Sequence, residues 1–596
     1  MNLVDTTSSR VGWVALAALA VASVGACSKD VRTLESEKPI FAAPDSGTSE
    51  GGCALQCSVD GRAVVNVCSN GTSSIVEECS ATTACGDAVC QAPCAAAAVN
   101  KSSNGCEFFF QAPHFTSWFR HSCYAAFVVN TSAQEATLSL EYEGQPIDIS
   151  SSTYRTTPGS AELTPFSGPV PPGESVIVFV SDRDRRAIPA EPGSEGDTPC
   201  PTNVNPATYI DNITYSGIGA AFHLTADVPV SLATSYPFGG AAGVIPTAAL
   251  LLPVTSWSTE NIIVNGWEKA RALPGFNEGN PATMILAAED DTQVTIVPNA
   301  DVQRGVGFDP VVAGTPLKVT LGKGQTMQLV QTEELTGSFV SSNKPVAMVG
   351  GNACGNVPTT VGTCDVLAQQ IPAPQNWGSE YVGVGYRPRL RNEHEPVPYR
   401  IVAARDGTLL EYDPPTPPAG APVALSAGES KIFYAGTGDA FVVRTQDAEH
   451  PIYVAAYMTG QTGAGGHGDA EFVNVVPTAQ YMSSYGFYAD ASFAENALTI
   501  VRAKSGGSFE DVTLECAGVL TDWRPIGTRG EFEFTRLDIS RSFQGGDFNC
   551  KAGLQRMQSA GPFSATLWGW APAASYAYPS GTAMRKLVTE TFAPPQ

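Results

Sequence analysis

A proline-led pattern recurs at nearly even spacing along this chain and sets its organisation. A proline followed by an apolar, strand-like run stands at four positions that are 116, 106 and 111 residues apart: Pro229, Pro345, Pro451 and Pro562. A period of this length matches the size of a small domain. The sequence therefore predicts four copies of one module in tandem.

A second proline in each period precedes an aromatic residue by four or five positions. The pairs are Pro113 and Trp118, Pro253 and Trp257, Pro372 and Trp377, and Pro477 and Tyr481. Because large aromatic rings bury much apolar surface, the three tryptophans are predicted to anchor module cores. The alternative is a set of exposed aromatic platforms that hold sugar rings.

Each module contains a short apolar run and then a segment in which apolar and polar residues alternate. The runs suit strands that are buried on both faces: residues 126–129, 284–288, 401–404 and 500–501. The alternating segments suit strands with one buried face: residues 137–142, 292–296, 408–412 and 512–514. A glycine-containing turn precedes a further strand in three modules, at residues 172–175, 322–325 and 428–430, whereas its fourth copy is unclear.

These patterns predict an all-β protein with four tandem β-sandwich-like modules of about 100–140 residues after a small disulfide-rich module. The 58 glycines and 44 prolines fit frequent turns and few helices. A β-propeller is the alternative, although its blades usually need only about 40–50 residues each. The predicted disulfide-rich module covers residues 53–94, and the predicted β modules cover residues 95–240, 241–352, 353–460 and 461–590.

The N-terminus predicts export and lipid attachment. Residues 11–26 form an apolar run that is too short for a comfortable membrane span, and Cys27 follows it directly. Small residues ahead of a cysteine resemble a bacterial lipobox. Residues 1–26 are therefore predicted to be a lipoprotein signal peptide and Cys27 the lipid-bearing residue. The alternative is ordinary secretion with Cys27 unmodified.

The segment after Cys27 predicts the location of the mature protein. Residues 27–52 are polar and contain several glycines, prolines and acids, which is typical of a flexible tether. Ser28, and not aspartate, directly follows Cys27. In lipoproteins of bacteria with two membranes, this resembles the signal for sorting to the outer membrane. The predicted location is thus extracytoplasmic and lipid-anchored, at the outer membrane or cell surface of a bacterium, with the membrane contacted only through the lipid.

Cysteine usage predicts an oxidising compartment. Of 15 cysteines, 14 remain after Cys27, and seven of them crowd into a stretch with almost no aromatic residue: Cys53, Cys57, Cys68, Cys79, Cys85, Cys90 and Cys94. So short a stretch cannot bury a core, so disulfides are predicted to stabilise it, with zinc as the less favoured alternative. Because seven is odd, at least one of these thiols must pair outside the stretch, and the candidate partners are Cys106, Cys123 and Cys200. Local pairs are predicted between Cys354 and Cys364 and between Cys516 and Cys550.

The charge balance argues against some partners. The chain has 34 Lys and Arg against 58 Asp and Glu, for a formal net charge of -24. Because an acidic surface repels phosphates, no nucleic-acid partner is predicted. Two acidic clusters, Asp182 to Asp184 and Glu289 to Asp291, are candidates for Ca²⁺, but neither matches a complete ligand loop. Solvated turns are the favoured interpretation, so no metal or cofactor is predicted.

Motifs for catalysis are missing from the sequence. The six histidines are scattered, and the sequence has no His-Glu-x-x-His, Gly-x-Ser-x-Gly, phosphate loop or dinucleotide fingerprint. The densest polar segment is residues 459–471, where His467, Asp469 and Glu471 are candidates for sharing a proton or a metal. An exposed flexible loop is the favoured interpretation, and no catalytic residue is predicted.

Several separated segments carry a family resemblance. They are Pro345-Val-Ala-Met-Val-Gly-Gly, the pair Cys354 and Cys364, the run from Gln370 to Val382, and Ser575-Tyr-Ala-Tyr-Pro-Ser-Gly581. Together they resemble the IgG Fc-binding protein N-terminal domain family over roughly residues 100 to 590. The resemblance implies a non-enzymatic extracellular binding region. It does not imply antibody binding, since no Fc-contacting residues can be carried across.

The sequence therefore predicts a binding or adhesion role, with an extracellular protein or glycan as ligand. Two glycine-rich segments, residues 350–354 and 459–468, are predicted to form a contact surface, with Asn352, His467 and Asp469 as candidate binding residues. One alternative is an extracellular polysaccharide hydrolase, which needs two carboxylates at a defined separation. The other is a structural protein of the cell envelope.

Overall fold

The computed structural model describes residues 53–58, 61–68, 72–116, 122–182, 198–210, 213–239, 245–269, 279–390 and 393–592, with the side chains of 462 and 463 left out. The predicted signal peptide, Cys27, the tether and Trp118 lie outside these ranges. None of the helices in the described part of the chain has the length and apolar character needed to cross a membrane.

The first described segment is small and held by disulfides. Its elements are β1 (Cys53–Cys57), β2 (Ala63–Cys68), β3 (Ser73–Glu78), β4 (Ala84–Gly86), β5 (Val89–Gln91) and α1 (Pro93–Asn100). Strand β3 is exposed along its whole length, so this segment buries little apolar surface. Its bonds are Cys53–Cys68, Cys57–Cys85, Cys79–Cys90 and Cys94–Cys106. The seventh cysteine of the crowded stretch thus pairs outside it, with Cys106.

The remaining described residues form four groups of strands. The first group is β6 (Asn104–Phe110), β7 (Tyr124–Asn130), β8 (Leu138–Tyr142), β9 (Gln145–Ile147), β10 (Thr153–Thr156), β11 (Leu163–Pro165), β12 (Ser175–Asp182), β13 (Thr208–Tyr209), β14 (Gly217–Ala220), β15 (Phe222–Tyr236) and β16 (Thr247–Leu250). The second is β17 (Ser258–Ile262), β18 (Pro281–Ala287), β19 (Thr292–Val297), β20 (Leu317–Leu321), β21 (Gln325–Val330), β22 (Phe339–Gly355) and β23 (Asp365–Ile371).

The third group is β24 (Glu380–Gly383), β25 (Pro396–Ala403), β26 (Thr408–Asp413), β27 (Ala424–Leu425), β28 (Ser430–Gly436), β29 (Phe441–Thr445), β30 (Ile452–Met458) and β31 (Glu471–Asn474). The fourth is β32 (Met482–Ala489), β33 (Glu495–Ala503), β34 (Val512–Leu514), β35 (Gly518–Val519), β36 (Arg524–Ile526), β37 (Phe532–Arg541), β38 (Gln544–Gly545), β39 (Gly553–Ala571) and β40 (Ala574–Pro579). We call these groups modules 1 to 4; β14 follows the strands of module 1 in the chain but pairs with β21 in the sheet of module 2. The protein is all-β, and the propeller alternative is not needed to explain its period.

One pairing plan recurs in the four modules. The apolar run forms the strand beside the second half of the proline-containing strand, and the alternating segment pairs with its first half; in module 2 these are β18 and β19 on β22. The corresponding strands are β7 and β8 on β15, and β33 and β34 on β39. In module 3 the two halves are separate strands, β30 and β29, which pair with β25 and β26 in different sheets. Each module is therefore sandwich-like: module 3 has two separate sheets, and one continuous curled sheet forms each of the other three modules.

The recurring proline does not start this strand in three modules, as the sequence had suggested. Pro229, Pro345 and Pro562 lie inside continuous strands of 15, 17 and 19 residues. Each stands where the ladder is interrupted and the strand exchanges one pairing partner for another. A proline lacks the amide hydrogen that a ladder needs, so it is tolerated at such a break. Only Pro451 directly precedes its strand, β30.

The four modules close into a ring. Aromatic rings meet at each of the four contacts between neighbours: Phe109 with Trp257 at 6.1 Å, Trp267 with Tyr457 at 4.8 Å, Tyr386 with Trp568 at 5.1 Å, and Phe127 with Tyr488 at 4.7 Å between ring centroids. Trp377 is buried as a core anchor, whereas Trp257 is half-buried. Module 1 thus packs against both module 2 and module 4.

The last strand of each module lies at the centre of this ring. Strand β16 contacts β23 and β40, and β31 contacts the same two strands. We call β16, β23, β31 and β40 the central strands. Three of them follow a boundary predicted from the sequence yet pair with the module before it, as β16 pairs with β15.

Candidate functional site at one end of the central strands

The connections that lead into the central strands lie together at one end of the ring. They are residues 237–239 and 245–246 (the part of the first connection that the structure describes), 356–364, 459–470 and 572–573. Hydrogen bonds join the first residues of the central strands: Thr247 Oγ1 donates to Glu471 Oε1 at 3.3 Å, and Ser575 N donates to Asp365 Oδ2 at 3.2 Å. We call this set of connections the four-loop end.

The loop at residues 356–364 is fixed at both of its ends. The Cys354–Cys364 disulfide closes it, and Asn356 Nδ2 donates to the carbonyls of Val361 and Thr363 at 3.0 and 2.7 Å. Its partner is the loop at 459–470, because Gly460 N donates to Val357 O at 2.7 Å. Two segments that are about one hundred residues apart in the chain thus form one surface.

A buried arginine holds the loop at 459–470 from below. Arg389 Nη1 donates to the carbonyls of Thr459 and His467, both at 2.8 Å, so it bridges the two ends of this loop. Its Nε bonds Glu395 Oε1 at 2.7 Å, and both side chains are almost fully buried. Gly468 makes this approach possible, since a Cβ there would lie 3.0 Å from Arg389 Nη1 and its φ of +68° favours glycine.

Three carboxyl groups lie buried beneath the loops. Asp365, Asp469 and Glu471 are 0, 2 and 0% exposed. Burial raises the pKa of the Asp365 carboxyl well above its ordinary value, and the carboxyls of Asp469 and Glu471 raise it further. Burial also raises the pKa of Asp469 and, more strongly, that of Glu471. These groups thus resist ionisation at pH values where exposed acids are charged.

The same carboxyls tie the loops and the central strands together. Asp469 Oδ1 accepts from Thr363 Oγ1 at 3.0 Å, which links the two long loops, and Asp469 N donates to Ser575 Oγ at 2.8 Å. Glu471 accepts from Thr247 and from the backbone N–H groups of Ala248 and Ala577. Two carboxyl oxygens are buried without a hydrogen-bond partner, Asp365 Oδ1 and Glu471 Oε2.

A buried amide completes the centre. Gln369 Nε2 donates to Ala248 O at 2.7 Å and to Ala577 O at 3.0 Å. These carbonyls belong to β16 and β40, which do not pair with each other in a sheet. Unpaired backbone groups at a buried strand edge are unfavourable, so Gln369 and Glu471 satisfy edges that would otherwise stay open.

The predicted binding residues differ in their exposure. His467 is exposed at the four-loop end. Asn352 and Asp469 are buried, and Asn352 Nδ2 donates to the carbonyls of Trp267 and Glu268. Both side chains thus bond within the fold, and their contact with a ligand stays a prediction. Residues 350–354 are not a loop, because they lie within β22. The backbone ladder with β18 continues through the glycines of this segment.

The predicted acidic clusters act within the fold. Asp182 Oδ2 accepts from Cys200 N at 3.0 Å, and Asp290 Oδ1 accepts from Lys323 N at 2.9 Å; Asp184 lies outside the described residues. Within the described ranges, three or more His, Cys, Asp or Glu side chains nowhere form a group suited to a metal ion. All 14 cysteines of the described chain are paired, and the pairs Cys123–Cys200, Cys354–Cys364 and Cys516–Cys550 complete the set.

Sequence reasoning missed Arg389, Asp365 and Gln369. Asp365 directly follows Cys364 and Gln369 directly precedes Gln370, so both adjoin segments of the family resemblance. Their partners Ser575 and Ala577 lie 210 and 208 residues away in the chain, and Arg389 bonds Thr459 across 70 residues. One signal was available: Asp365 opens the apolar run Val366 to Leu367, where an acid has no solvent face to occupy. A charged residue at the start of a fully buried strand indicates a buried polar contact.

The comparisons with known proteins agree on one family. The family model described as IgGFc binding protein matches residues 247–569, from the first residue of β16 into β39. The human protein named IgGFc-binding protein is 28% identical over 165 residues, which cover 28% of this chain and 3% of that protein. The chain thus spans a small fraction of that relative's length.

A search of solved structures found a weak likeness. An anti-sigma factor domain-containing protein from Clostridium clariflavum covers 54% of this chain and 96% of its own length, at 10% identity and a TM-score of 0.12. A score of this size carries no argument about fold or function.

Proposed function

We propose that this chain, which belongs to the IgGFc binding protein family, binds an extracellular protein through its four-loop end. The family match carries the proposal. It covers more than half of the chain and includes the two longest described connections of this surface, residues 356–364 and 459–470. The name of the human relative refers to the Fc region of immunoglobulin G, which makes an Fc fragment the first probe.

The four-loop end has features of a protein-contact surface. Binding loops work best when a rigid scaffold positions them, and these loops are held by a disulfide, by Arg389 and by the central strands. Leu390 is exposed by 46% beside the loop at 459–470, and a Cβ on Gly465 would lie 3.4 Å from its side chain. Thr360 and His467 are exposed polar residues of the same four-loop end, and an apolar centre with a polar rim is typical of a protein interface.

The proposed function is binding without catalysis. The buried carboxyls beneath the loops are hydrogen-bonded within the fold, and their raised pKa values follow from burial. A pair of carboxylates that hydrolyses polysaccharide must reach the substrate from an open cleft. Burial of Asp365, Asp469 and Glu471 argues against this role for the three residues.

We also propose that a lipid anchors the protein to the membrane. Seven disulfides support folding in an oxidising compartment. Acylation at Cys27 would hold the protein at the outer membrane, with residues 28–52 as the spacer between the lipid and the folded body. Replacing Cys27 with serine is expected to move the full-length protein from the membrane fraction to the soluble fraction. Unchanged fractionation would exclude acylation at this residue.

Binding is tested with a matched pair of surface variants. The full-length protein is measured by biolayer interferometry against immobilised human Fc fragment and, in parallel, a panel of secreted extracellular proteins. Leu390→Asp is expected to weaken binding at least about tenfold, as for an anchor at the centre of an interface. Val519→Asp changes a residue that is 51% exposed in module 4 and is expected to leave binding unchanged.

The outcomes test separately whether the four-loop end is the contact surface and whether the chain binds a protein at all. Equal effects of the two variants would mean that the contact surface lies elsewhere. Absence of binding to the Fc fragment and to every member of the panel would contradict a protein-binding function.

A further inference from the structure

Three buried acids lie where the loops of different modules meet. Asp365 begins β23 and Glu471 begins β31. Asp365 and Asp469 both bond Ser575, and the charges of Asp469 and Glu471 both act on Asp365. A protein that needed only hydrogen bonds at these points could use neutral amides, as Gln369 shows four residues after Asp365. Three acids add a property that amides lack, which is a charge that depends on pH.

We infer that protonation of Asp365, Asp469 and Glu471 keeps the four-loop end closed, and that their deprotonation loosens the loops at 356–364 and 459–470. This inference deepens the proposed function, because it names the condition that controls the same surface. It rests on the proposed function only where it concerns the partner.

The surroundings of the three carboxyls support the inference. The charged or titratable groups that face them are each other and Arg389; His467 lies at the surface of the same loop. Arg389 acts on Asp469, but it is already paired with Glu395 at 2.7 Å. The residues that β16 and β40 present to the cluster are Thr247, Ala248, Ser575 and Ala577, which carry no charge. One cation that is already paired cannot neutralise three carboxylates.

The hydrogen bonds explain why ionisation would act on the loops. Asp469 bonds the side chain of Thr363 in one loop and the backbone N–H of Gln461 in the other. Asp365 and Glu471 bond strand β40 and strand β16. Two or three like charges confined in this space repel each other and favour entry of water, which requires the loops to separate. Asp365 Oδ1 and Glu471 Oε2, which have no partner, are the atoms that a carboxyl proton would occupy.

The sign of the pH dependence follows from the raised pKa values. Burial makes the carboxyls harder to ionise in the closed form than in contact with water, where such groups ionise near pH 4. The closed form therefore binds more protons, so it is favoured at low pH and loses stability as the pH rises.

Hydrogen exchange tests this inference in the full-length protein. Protection factors for the backbone amides of residues 356–364 and 459–470, corrected for intrinsic rates, are measured by mass spectrometry at pH 5 and pH 8. In the wild type they are expected to fall at least about tenfold at the higher pH, which is the change expected when the closed form keeps one extra proton over one pH unit above pH 5. The double variant Asp365→Asn, Glu471→Gln mimics the protonated cluster and should keep high protection at both values. Asp227→Asn, at an exposed acid, should behave as the wild type.

Each outcome decides a separate question. Protection that is equal at pH 5 and pH 8 in the wild type would overturn the inference, and this series decides the matter even if the double variant does not fold. A double variant with the wild-type pH dependence would also overturn it. Loops that loosen with pH while the protein binds neither the Fc fragment nor the extracellular panel would support the switch and refute the proposed function.

Discussion

The interior of each sandwich and the centre where the four sandwiches meet are both buried, yet their chemistry differs. A module interior is apolar: in module 3, for example, Tyr399, Phe433 and Phe441 stack on one another. The centre holds a glutamine and three acids. Apolar packing is non-directional and tolerates many arrangements, whereas a buried hydrogen bond requires one partner at one distance. The difference indicates that apolar residues fold the modules and pack neighbours together, whereas the polar residues at the centre specify how all four modules meet.

The largest expected effect comes from removing an apolar anchor. Trp377→Ala deletes a ring that is 1% exposed, packs at 5.5 Å from the ring of Tyr453, and donates to Pro372 O. The free energy of unfolding should fall by about 3–5 kcal/mol, as for other large-to-small core changes. Chemical denaturation measures this loss. Trp257→Ala is the control, because Trp257 is only half-buried, and it should cost clearly less; equal losses would contradict the assignment of Trp377 to the core.

A smaller effect is expected from a polar change at the centre. Gln369→Leu leaves the carbonyls of Ala248 and Ala577 buried without a donor, so the free energy of unfolding should fall by about 2 kcal/mol. Gln544→Leu is the matched control on the surface and should change it by less than about 0.5 kcal/mol. If Gln369→Leu proved neutral or stabilising, the centre would tolerate apolar residues as the module interiors do. That result would contradict the proposed difference between the two regions.

A third change alters only the pH dependence of stability. The raised pKa of Glu471 means that the wild type loses stability as the pH rises from about 4. Glu471→Gln removes that loss, so its melting temperature relative to the wild type should increase from pH 5 to pH 8. Thermal melts at a series of pH values measure the difference. Parallel curves for the two proteins would show that Glu471 is not held neutral by burial.

The smallest effect on stability is expected at the exposed end of the loops. His467→Ala changes an exposed side chain and should alter the melting temperature by less than about 2 °C. Any effect should appear in binding, measured as described for Leu390. A large loss of stability would mean that the loop at 459–470 depends on this side chain as well as on Arg389.

The sequence predicts the modules better than their assembly. Alternation in residues 292–296 and the apolar run 284–288 identify neighbouring strands, because burial of a strand is written in adjacent residues. The fourth turn was also present in the sequence: Gly530 has a φ of +66° before β37, like Gly173 at +70° before β12.

Contacts between modules could not be predicted in the same way. Gln369 bonds Ala577 across 208 residues, and nothing near Gln369 in the sequence marks that contact. The switch at Pro345 was hidden for a similar reason. A proline is compatible with the start of a strand and with a break inside one, and only the pairing partners distinguish the two.

Calorimetry of the full-length protein tests most directly whether the four sandwiches form one body around the central strands. If the polar centre joins them, modules 1 to 4 should unfold in a single transition whose calorimetric and van't Hoff enthalpies agree. Gln369→Leu should lower the temperature of that transition without dividing it. Separate transitions for individual modules in the wild type, with Trp377→Ala shifting only one of them, would contradict this account.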